Sequence, residues 1–252
     1  MRIFVKELIM RRSLSISIVI VVMGIAVNLS LSRVDQITAS SSSQLELGDF
    51  LSIKYLEVLE KTRSPLTAEG GRAINLVVVQ KNEDVTEVLP IINFHEGGPT
   101  FQVDHSGTIK LGNAAGLDIS HYVVQILNKK EISVGFNHFP QERFVFVNDL
   151  QGVIRSKSVA GRYVNREGRP YNFQSNGIAT TPTTTFKFTV GIDHVPYHFD
   201  YIENSETHQI YRFVRKKCYL DIYEVLDAIE NQHGNDGSHV KLFASLREVD
   251  CK

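Results

Sequence analysis

Residues 169–192 read RPYNFQSNGIATTPTTTFKFTVGI, and this stretch indicates the fold. Aromatic and aliphatic residues alternate with polar ones on both sides of the dipeptide Asn176-Gly177. A period of two is typical of a half-buried strand. Asn-Gly favours a type I′ turn, because both central residues of that turn need a positive φ. The stretch therefore predicts a β-hairpin.

The same period extends along most of the chain, in short runs rich in Val, Ile and Phe that turn signals separate. Strands at such regular spacing predict an antiparallel sandwich or barrel. Helical crossovers between the runs are missing, which argues against a doubly wound α/β fold. The runs are 73–80, 87–94, 120–127, 131–136, 143–147, 169–174, 184–192, 197–202, 209–214 and 219–223.

Two segments have helical periodicity instead. Residues 52–62 place Ile53, Leu56 and Leu59 on one face, and Pro65 follows as a stop signal. This amphipathic helix is expected to cover one end of a barrel or sheet. A second, short helix is expected at 224–232, before a closing strand at 239–249.

The first 47 residues predict export. Arg11 and Arg12 precede residues 13–31, nineteen positions without charge. Residues 1–32 fit either a signal peptide cleaved after Ser32 or an uncleaved transmembrane anchor, since about 20 apolar residues span a bilayer. The Ser-rich residues 33–47 read as a tether. We expect an extracytoplasmic protein that contacts the membrane through this N-terminal segment.

Charge argues against nucleic acid as a partner. The whole chain carries −1 and the first 32 residues carry +3, so the remainder carries −4. A mildly acidic domain has no electrostatic attraction to a polyanion.

The chain has two cysteines, Cys218 and Cys251. In an exported protein such a pair can form one disulfide, which here would join the C-terminal tail to a late strand. The alternative is two separate thiols, and the sequence leaves both open.

A rhythm of aromatics and glycines resembles exported bacterial lipocalin-like proteins, which have a calycin-type β-barrel. The resemblance implies one antiparallel barrel over residues 48–252. It departs from lipocalins proper, because the chain contains no tryptophan. The motifs are Gly161-Arg-Tyr163, Gly168-Arg-Pro-Tyr171-Asn-Phe173, Phe186-Lys-Phe188, Phe199-Asp-Tyr201-Ile202, Tyr211-Arg-Phe213 and Leu220-Asp-Ile-Tyr223.

A barrel of this kind holds one small ligand when its interior is hollow. We expect an apolar or amphipathic ligand without enzymatic activity, in a site lined by aromatic side chains that otherwise fill the core. The alternatives are a cell-envelope interaction module with a filled core and an envelope hydrolase. The aromatic residues are Phe173, Phe188, Phe199, Tyr201, Tyr211 and Phe213.

Catalytic and metal motifs give no support for an enzyme or a cofactor. Neither Gly-x-Ser-x-Gly nor His-Glu-x-x-His occurs. His194 and His198 are four residues apart, but on a strand that spacing separates them by about 13 Å, too far for a shared metal.

Overall fold

The computed structural model shows a mainly β protein whose strands are antiparallel throughout and form two separate sheets. Three short helices accompany the described strands. The structure describes residues 45–70, 74–92, 94, 96–104, 108–112, 122–136, 139–194, 197–227 and 239–251. The predicted export segment (1–32) and nearly all of the predicted tether (33–47) lie outside them.

The first sheet has nine strands in the order β6-β5-β3-β2-β1-β9-β8-β7, with β4 paired to β3. Phe101 on β5 and Tyr122 on β7 bring their rings to 5.9 Å, although these strands stand near opposite ends of that order. The sheet therefore curls around its own apolar cluster, which includes Phe50, Val77 and Phe144. The strands are β1 (Gly48–Ser52), β2 (Ile74–Asn82), β3 (Val85–Ile92), β4 (Glu96–Gly97), β5 (Phe101–Val103), β6 (Ile109–Leu111), β7 (Tyr122–Asn128), β8 (Glu131–Phe136) and β9 (Phe139–Val147).

The second sheet is a closed barrel of eight strands in chain order, β10 to β17. Closure joins β10 to β17, where Tyr163 pairs with Glu248. The barrel consists of β10 (Gly161–Val164), β11 (Pro170–Phe173), β12 (Ile178–Thr180), β13 (Thr185–Val190), β14 (Tyr201–Asn204), β15 (Ile210–Lys216), β16 (Tyr219–Asp227) and β17 (His239–Glu248).

Only residues 161–248 therefore form the barrel expected over 48–252. Strand β1 pairs with β2 and β9, so the first half of the chain completes its hydrogen bonds in its own sheet. Periodicity of two identifies strands but not their partners, which is why one barrel was expected.

The quoted hairpin is present as β11 and β12, although the turn differs from the predicted type. Gly177 has φ +87°, whereas Asn176 has no positive φ. The Gly177 N–H donates to the Gln174 carbonyl at 3.0 Å, and the Gln174 N–H donates to the Ile178 carbonyl at 2.9 Å. Only one residue of this turn needs the left-handed region, and glycine adopts it without steric cost.

The three helices are α1 (Ile53–Thr62), α2 (Pro65–Glu69) and α3 (Leu150–Ser158). Helix α1 occupies the range expected from periodicity, and its N-cap Ser52 accepts a hydrogen bond from the Tyr55 N–H at 3.2 Å. Helix α3 was not expected. Its N-cap is Asp149, whose carboxylate accepts from the Gly152 N–H at 2.8 Å.

The expected second helix at 224–232 is wrong for its first four residues. Glu224 pairs in strand register with Lys241, within the ladder that joins β16 to β17. Val225 is buried and Leu226 is exposed, which is the alternation of a strand. The remaining residues of the range, from 228 on, lie outside the described part of the chain. The closing strand β17 is present from His239 to Glu248.

All three helices pack against the same end of the barrel, here called the helical end. Tyr55 and Leu59 of α1 belong to the same buried cluster as Phe188 and Leu220 of the barrel. The Gln151 side chain of α3 donates to the Val190 carbonyl at 3.1 Å. The opposite end, called the far end, carries Tyr211 and Phe243, whose rings are 5.4 Å apart.

Candidate functional site

Three of the six aromatic residues expected in the ligand site fill the barrel interior. Phe173, Phe188 and Phe213 are 3% exposed or less and belong to the main core cluster. The Phe173 and Phe188 rings meet edge to face at 5.7 Å. Tyr211 packs against this cluster at the far end and is only partly buried.

The interior is correspondingly small. Phe173, Ile202 and Ile222 border a cavity whose volume is about 10 Å³. One water needs about 10–15 Å³, whereas sites for small molecules have about 300–1,000 Å³. This cavity is therefore too small for a ligand of that size.

The other two aromatics, Phe199 and Tyr201, lie at the helical end. Phe199 is buried beneath the Arg212 guanidinium, which stands 5.5 Å from the ring centre. The Tyr201 hydroxyl donates to the Asp193 carbonyl at 3.1 Å. Burial raises the pKa of Tyr201 to about 12, so its hydroxyl is neutral at physiological pH.

A groove of about 340 Å³ lies at the helical end, between the α1–α2 turn, the segment that precedes β14 and strand β15. Its volume falls within the range of small-molecule sites. Its lining combines three hydroxyl groups, two guanidinium groups, one carboxylate, the imidazole of His198 and several apolar side chains. The residues that matter below are Thr62, Ser64, Thr67, Phe199, Asp200, Arg212 and Arg215.

Arg215 is the most buried cation of the groove, because its side chain is 1% exposed. Its Nη1 donates to the Tyr163 hydroxyl at 2.8 Å, and its Nη2 donates to the Glu248 carboxylate. The Nε has no hydrogen-bond partner within the part of the chain that the structure describes. Glu248 also accepts from Arg63 at 3.3 Å, so one carboxylate serves two guanidinium groups.

Burial also changes the tyrosine beside this pair. It raises the pKa of Tyr163 to about 12, against the opposing effect of the Arg215 charge. The Tyr163 hydroxyl donates to the Val159 carbonyl at 2.7 Å while it accepts from Arg215. It therefore connects the end of α3 to the floor of the groove.

Asp200 is the groove's carboxylate, and its inner oxygen is engaged from behind. The Leu66 N–H of α2 donates to Oδ1 at 2.8 Å. His194 Nε2 lies 3.6 Å from the same oxygen, and His194 Nδ1 lies 3.0 Å from Glu69. The imidazole, 3% exposed, stands between two carboxylates and does not line the groove.

Tyr55 completes this buried polar cluster, which consists of Tyr55, Glu69, His194 and Asp200. Its hydroxyl is buried and has no partner among the described residues. Burial raises its pKa, and the charges of Asp200 and Glu69 raise it further. A neutral phenol between two carboxylates adds no charge to the site.

The two histidines considered for a metal lie in different environments. His194 is buried in this polar cluster, whereas His198 is exposed with φ +48°. No group of three or more His, Cys, Asp or Glu side chains suitable for a metal occurs in the described ranges.

Cys218 and Cys251 form a disulfide with a Cα–Cα distance of 5.5 Å. The Glu248 N–H donates to the Cys218 carbonyl at 2.8 Å. The bond therefore holds the C-terminal tail beside the carboxylate that pairs with Arg215.

The far end has a different surface. Its partly exposed apolar residues are close in space because β16 and β17 are paired there. They are Leu226, Val240, Leu242 and Phe243, and their exposed fractions run from 36% to 55%. Phe186 and Tyr211 stack at 6.5 Å beside them.

Sequence reasoning missed Asp200, Arg212 and Arg215. One signal was available for Arg215, since Tyr211, Phe213 and Arg215 share one face of β15 and an inward-facing charge on an aromatic stripe is unusual. No such signal exists for Asp200, which reaches α2 from a distant loop.

The fold and site define a class of protein: a mainly β chain with a closed eight-stranded antiparallel barrel and a polar groove at its helix-covered end. No family model matches the chain, and no match to a curated protein or to a solved structure was found. Within the described residues, no helix has both the length and the apolar character that crossing a bilayer requires.

Proposed function

We propose that this chain binds a small amphipathic molecule with an acidic group, without catalysis, in the groove at the helical end. The observation that carries the proposal is the groove of about 340 Å³ with Arg212 and Arg215 in its lining. Ligand binding by a barrel protein was expected from the sequence, but in the interior. The filled core moves the proposed site to the outside.

Charge and chemistry support an acidic group. Arg212 and Arg215 line the groove together with one carboxylate, Asp200, and Glu248 pairs with both Arg63 and Arg215. The Arg215 Nε is buried without a partner among the described residues, and an unmatched donor costs about 1–3 kcal/mol. A ligand carboxylate or phosphate would complement the positive charge of the two guanidinium groups that line the groove.

An apolar part of the ligand has a place as well. Leu66, Phe199 and Val214 line the same groove. Apolar area removed from water contributes about 25 cal/mol per Å², and the polar groups then determine orientation.

Binding rather than catalysis is proposed because the buried imidazole of His194 is separated from the groove, whereas the exposed imidazole of His198, which lines it, has no hydrogen bond from its ring to another described residue that would orient it as a base. His194 is 3% exposed and contacts the groove only through Asp200. A general base must reach the proton it removes, directly or through one water.

Three further parts of the proposal rest on sequence. They are export by residues 1–32 as a cleaved signal or an anchor, an extracytoplasmic location, and a lipocalin-like relationship. The last is supported by the chain-order arrangement of the eight strands, which up-and-down barrels share.

Calorimetric titration with octanoate and with 1-octanol tests the proposal, because the two probes differ in their charged group. We expect octanoate to bind and octanol to bind at least about tenfold more weakly, since a charged hydrogen bond contributes about 1.5–3 kcal/mol. Arg212→Gln should weaken octanoate binding by a similar factor. Arg247→Gln, which removes an exposed arginine outside the groove lining, is the matched control. Equal binding of both probes, or none, would contradict the proposal.

A further inference from the structure

The groove contains an acceptor as well as cations, and Asp200 supplies it. Its side chain is 12% exposed and lines the groove. Its Oδ1 accepts from Leu66 and faces His194. Its Oδ2 has no hydrogen-bond partner among the described residues. This oxygen is also not one of the described atoms that are completely buried without a partner. The inner oxygen is thus structural, and the outer one is accessible from the groove.

The carboxylate is held in this position from three sides. Glu69 and His194 lie behind it, and the Leu66 amide fixes its inner oxygen. The Phe213 N–H donates to the Asp200 carbonyl at 2.9 Å, which ties its backbone to β15. The hydrogen bond from the Leu66 N–H at the start of α2 needs only Oδ1 of the carboxylate. It does not account for Oδ2, which is accessible from the groove.

A cation, Arg212, lines the same groove of about 340 Å³ as Asp200. The Asp200 backbone is hydrogen-bonded to Phe213 on β15, and Arg212 is the residue that precedes Phe213 on that strand. Arg212 lies over the Phe199 ring, and its guanidinium also lines the groove. The two opposite charges therefore both belong to the lining of a single groove.

We propose that the ligand is a zwitterion of amino-acid or dipeptide size. Its ammonium group binds Asp200, its carboxylate binds Arg212, and its apolar side chains contact Leu66 and Phe199. This inference rests on the proposed function and narrows its ligand class. A volume of about 340 Å³ is at the small end of ligand sites, which fits a dipeptide better than a long acyl chain.

Three probes separate the two charges: L-leucyl-L-leucine, its N-acetyl derivative without the ammonium group, and its C-terminal amide without the carboxylate. Titration of the unaltered chain requires no variant. We expect the zwitterion to bind at least about tenfold more tightly than either derivative, because each derivative lacks one of the two charged contacts with the groove.

Asp200→Asn tests the ammonium contact directly. The amide oxygen can still accept from the Leu66 N–H, so the fold should persist, and thermal unfolding checks it. We expect leucyl-leucine binding to fall about tenfold while binding of the N-acetyl derivative stays unchanged. Glu206→Gln, an exposed carboxylate in the β14–β15 turn, is the control and should change neither.

The outcomes distinguish this inference from the broader proposal. If the N-acetyl derivative binds as tightly as the free dipeptide, the ammonium contact is wrong while acid binding stands. If octanoate binds and none of the three peptides does, the ligand class is wrong. If no acidic probe binds, both proposals fail.

Discussion

The two ends of the barrel are built from the same strands but present opposite chemistry. At the helical end, charged side chains are largely buried: Arg215 pairs with Glu248, and Asp200 accepts a hydrogen bond from the Leu66 N–H. At the far end, Tyr211 and Phe243 continue the aromatic core outward. The difference arises from single positions on continuous strands, since β15 runs from Tyr211 at one end to Arg215 at the other.

The helices explain why charges are tolerated at one end. A buried charge is costly unless it is paired and hydrogen-bonded. Helices α1 and α2 supply partners there, through Arg63 to Glu248 and through the Leu66 amide to Asp200. Binding is therefore expected to depend on the charged end alone, whereas stability depends on the aromatic interior and also on the paired groups of the helical end.

The largest effect is expected from the interior. Phe188→Ala removes a ring that is 1% exposed and contacts Phe173, and should lower the free energy of unfolding by about 3–5 kcal/mol. Phe243→Ala at the far end removes a ring that is 46% exposed and should cost less, about 1 kcal/mol. Urea denaturation of both variants gives the comparison. Similar losses would mean that the far end is as tightly packed as the interior.

The disulfide should contribute slightly less, with an additional local effect at the helical end. Cys218 and Cys251 are 33 residues apart, and a loop of that length corresponds to about 3–4 kcal/mol in the chain-entropy model. The double variant Cys218→Ser with Cys251→Ser should therefore lower the unfolding free energy by up to that amount. Hydrogen exchange should rise throughout the barrel, because global unfolding becomes easier, and it should rise most near Glu248, where the C-terminal tail is also released. Uniformly faster exchange would refute the local role.

Periodicity in the sequence predicted the strands, the closing strand β17 and the aromatic interior face, because alternation reports directly on burial. It did not predict that β1 pairs with β9, which divides the strands into two sheets. Pairing depends on contacts between distant segments, and a period of two is the same for every partner. The groove shows this limit as well, since Thr62, Asp200 and Arg212 meet only after folding.

The buried ion pair should have an intermediate effect. Arg215→Ala removes one partner of the partly buried Glu248 carboxylate. Breaking a buried ion pair in this way costs about 3–5 kcal/mol when the remaining charge has no other partner. Because Arg63 still faces Glu248 at 3.3 Å, we expect the low end, about 3 kcal/mol. The exposed pair Arg162–Asp250 is the control, and Arg162→Ala should cost about 0–1 kcal/mol. Equal costs for the two arginines would show that the groove floor is solvated.

The smallest effect concerns Tyr163 and appears only at alkaline pH. Burial raises its pKa to about 12 in the folded chain, against about 10 for an unfolded tyrosine. Between these values the unfolded chain loses the proton while the folded chain keeps it. Stability from this group is therefore complete below pH 10 and falls as the pH rises, by about 2–3 kcal/mol across the window.

Urea denaturation of wild type and Tyr163→Phe at several pH values measures this pH-dependent loss of stability. The variant should lose the alkaline decline that Tyr163 causes, whereas Tyr219→Phe, which removes an exposed phenol, serves as the matched control. If the unfolding free energy of Tyr163→Phe falls at alkaline pH as much as that of wild type, water reaches this hydroxyl at the helical end. The contrast between the two ends would then be smaller than the burial of Tyr163 indicates.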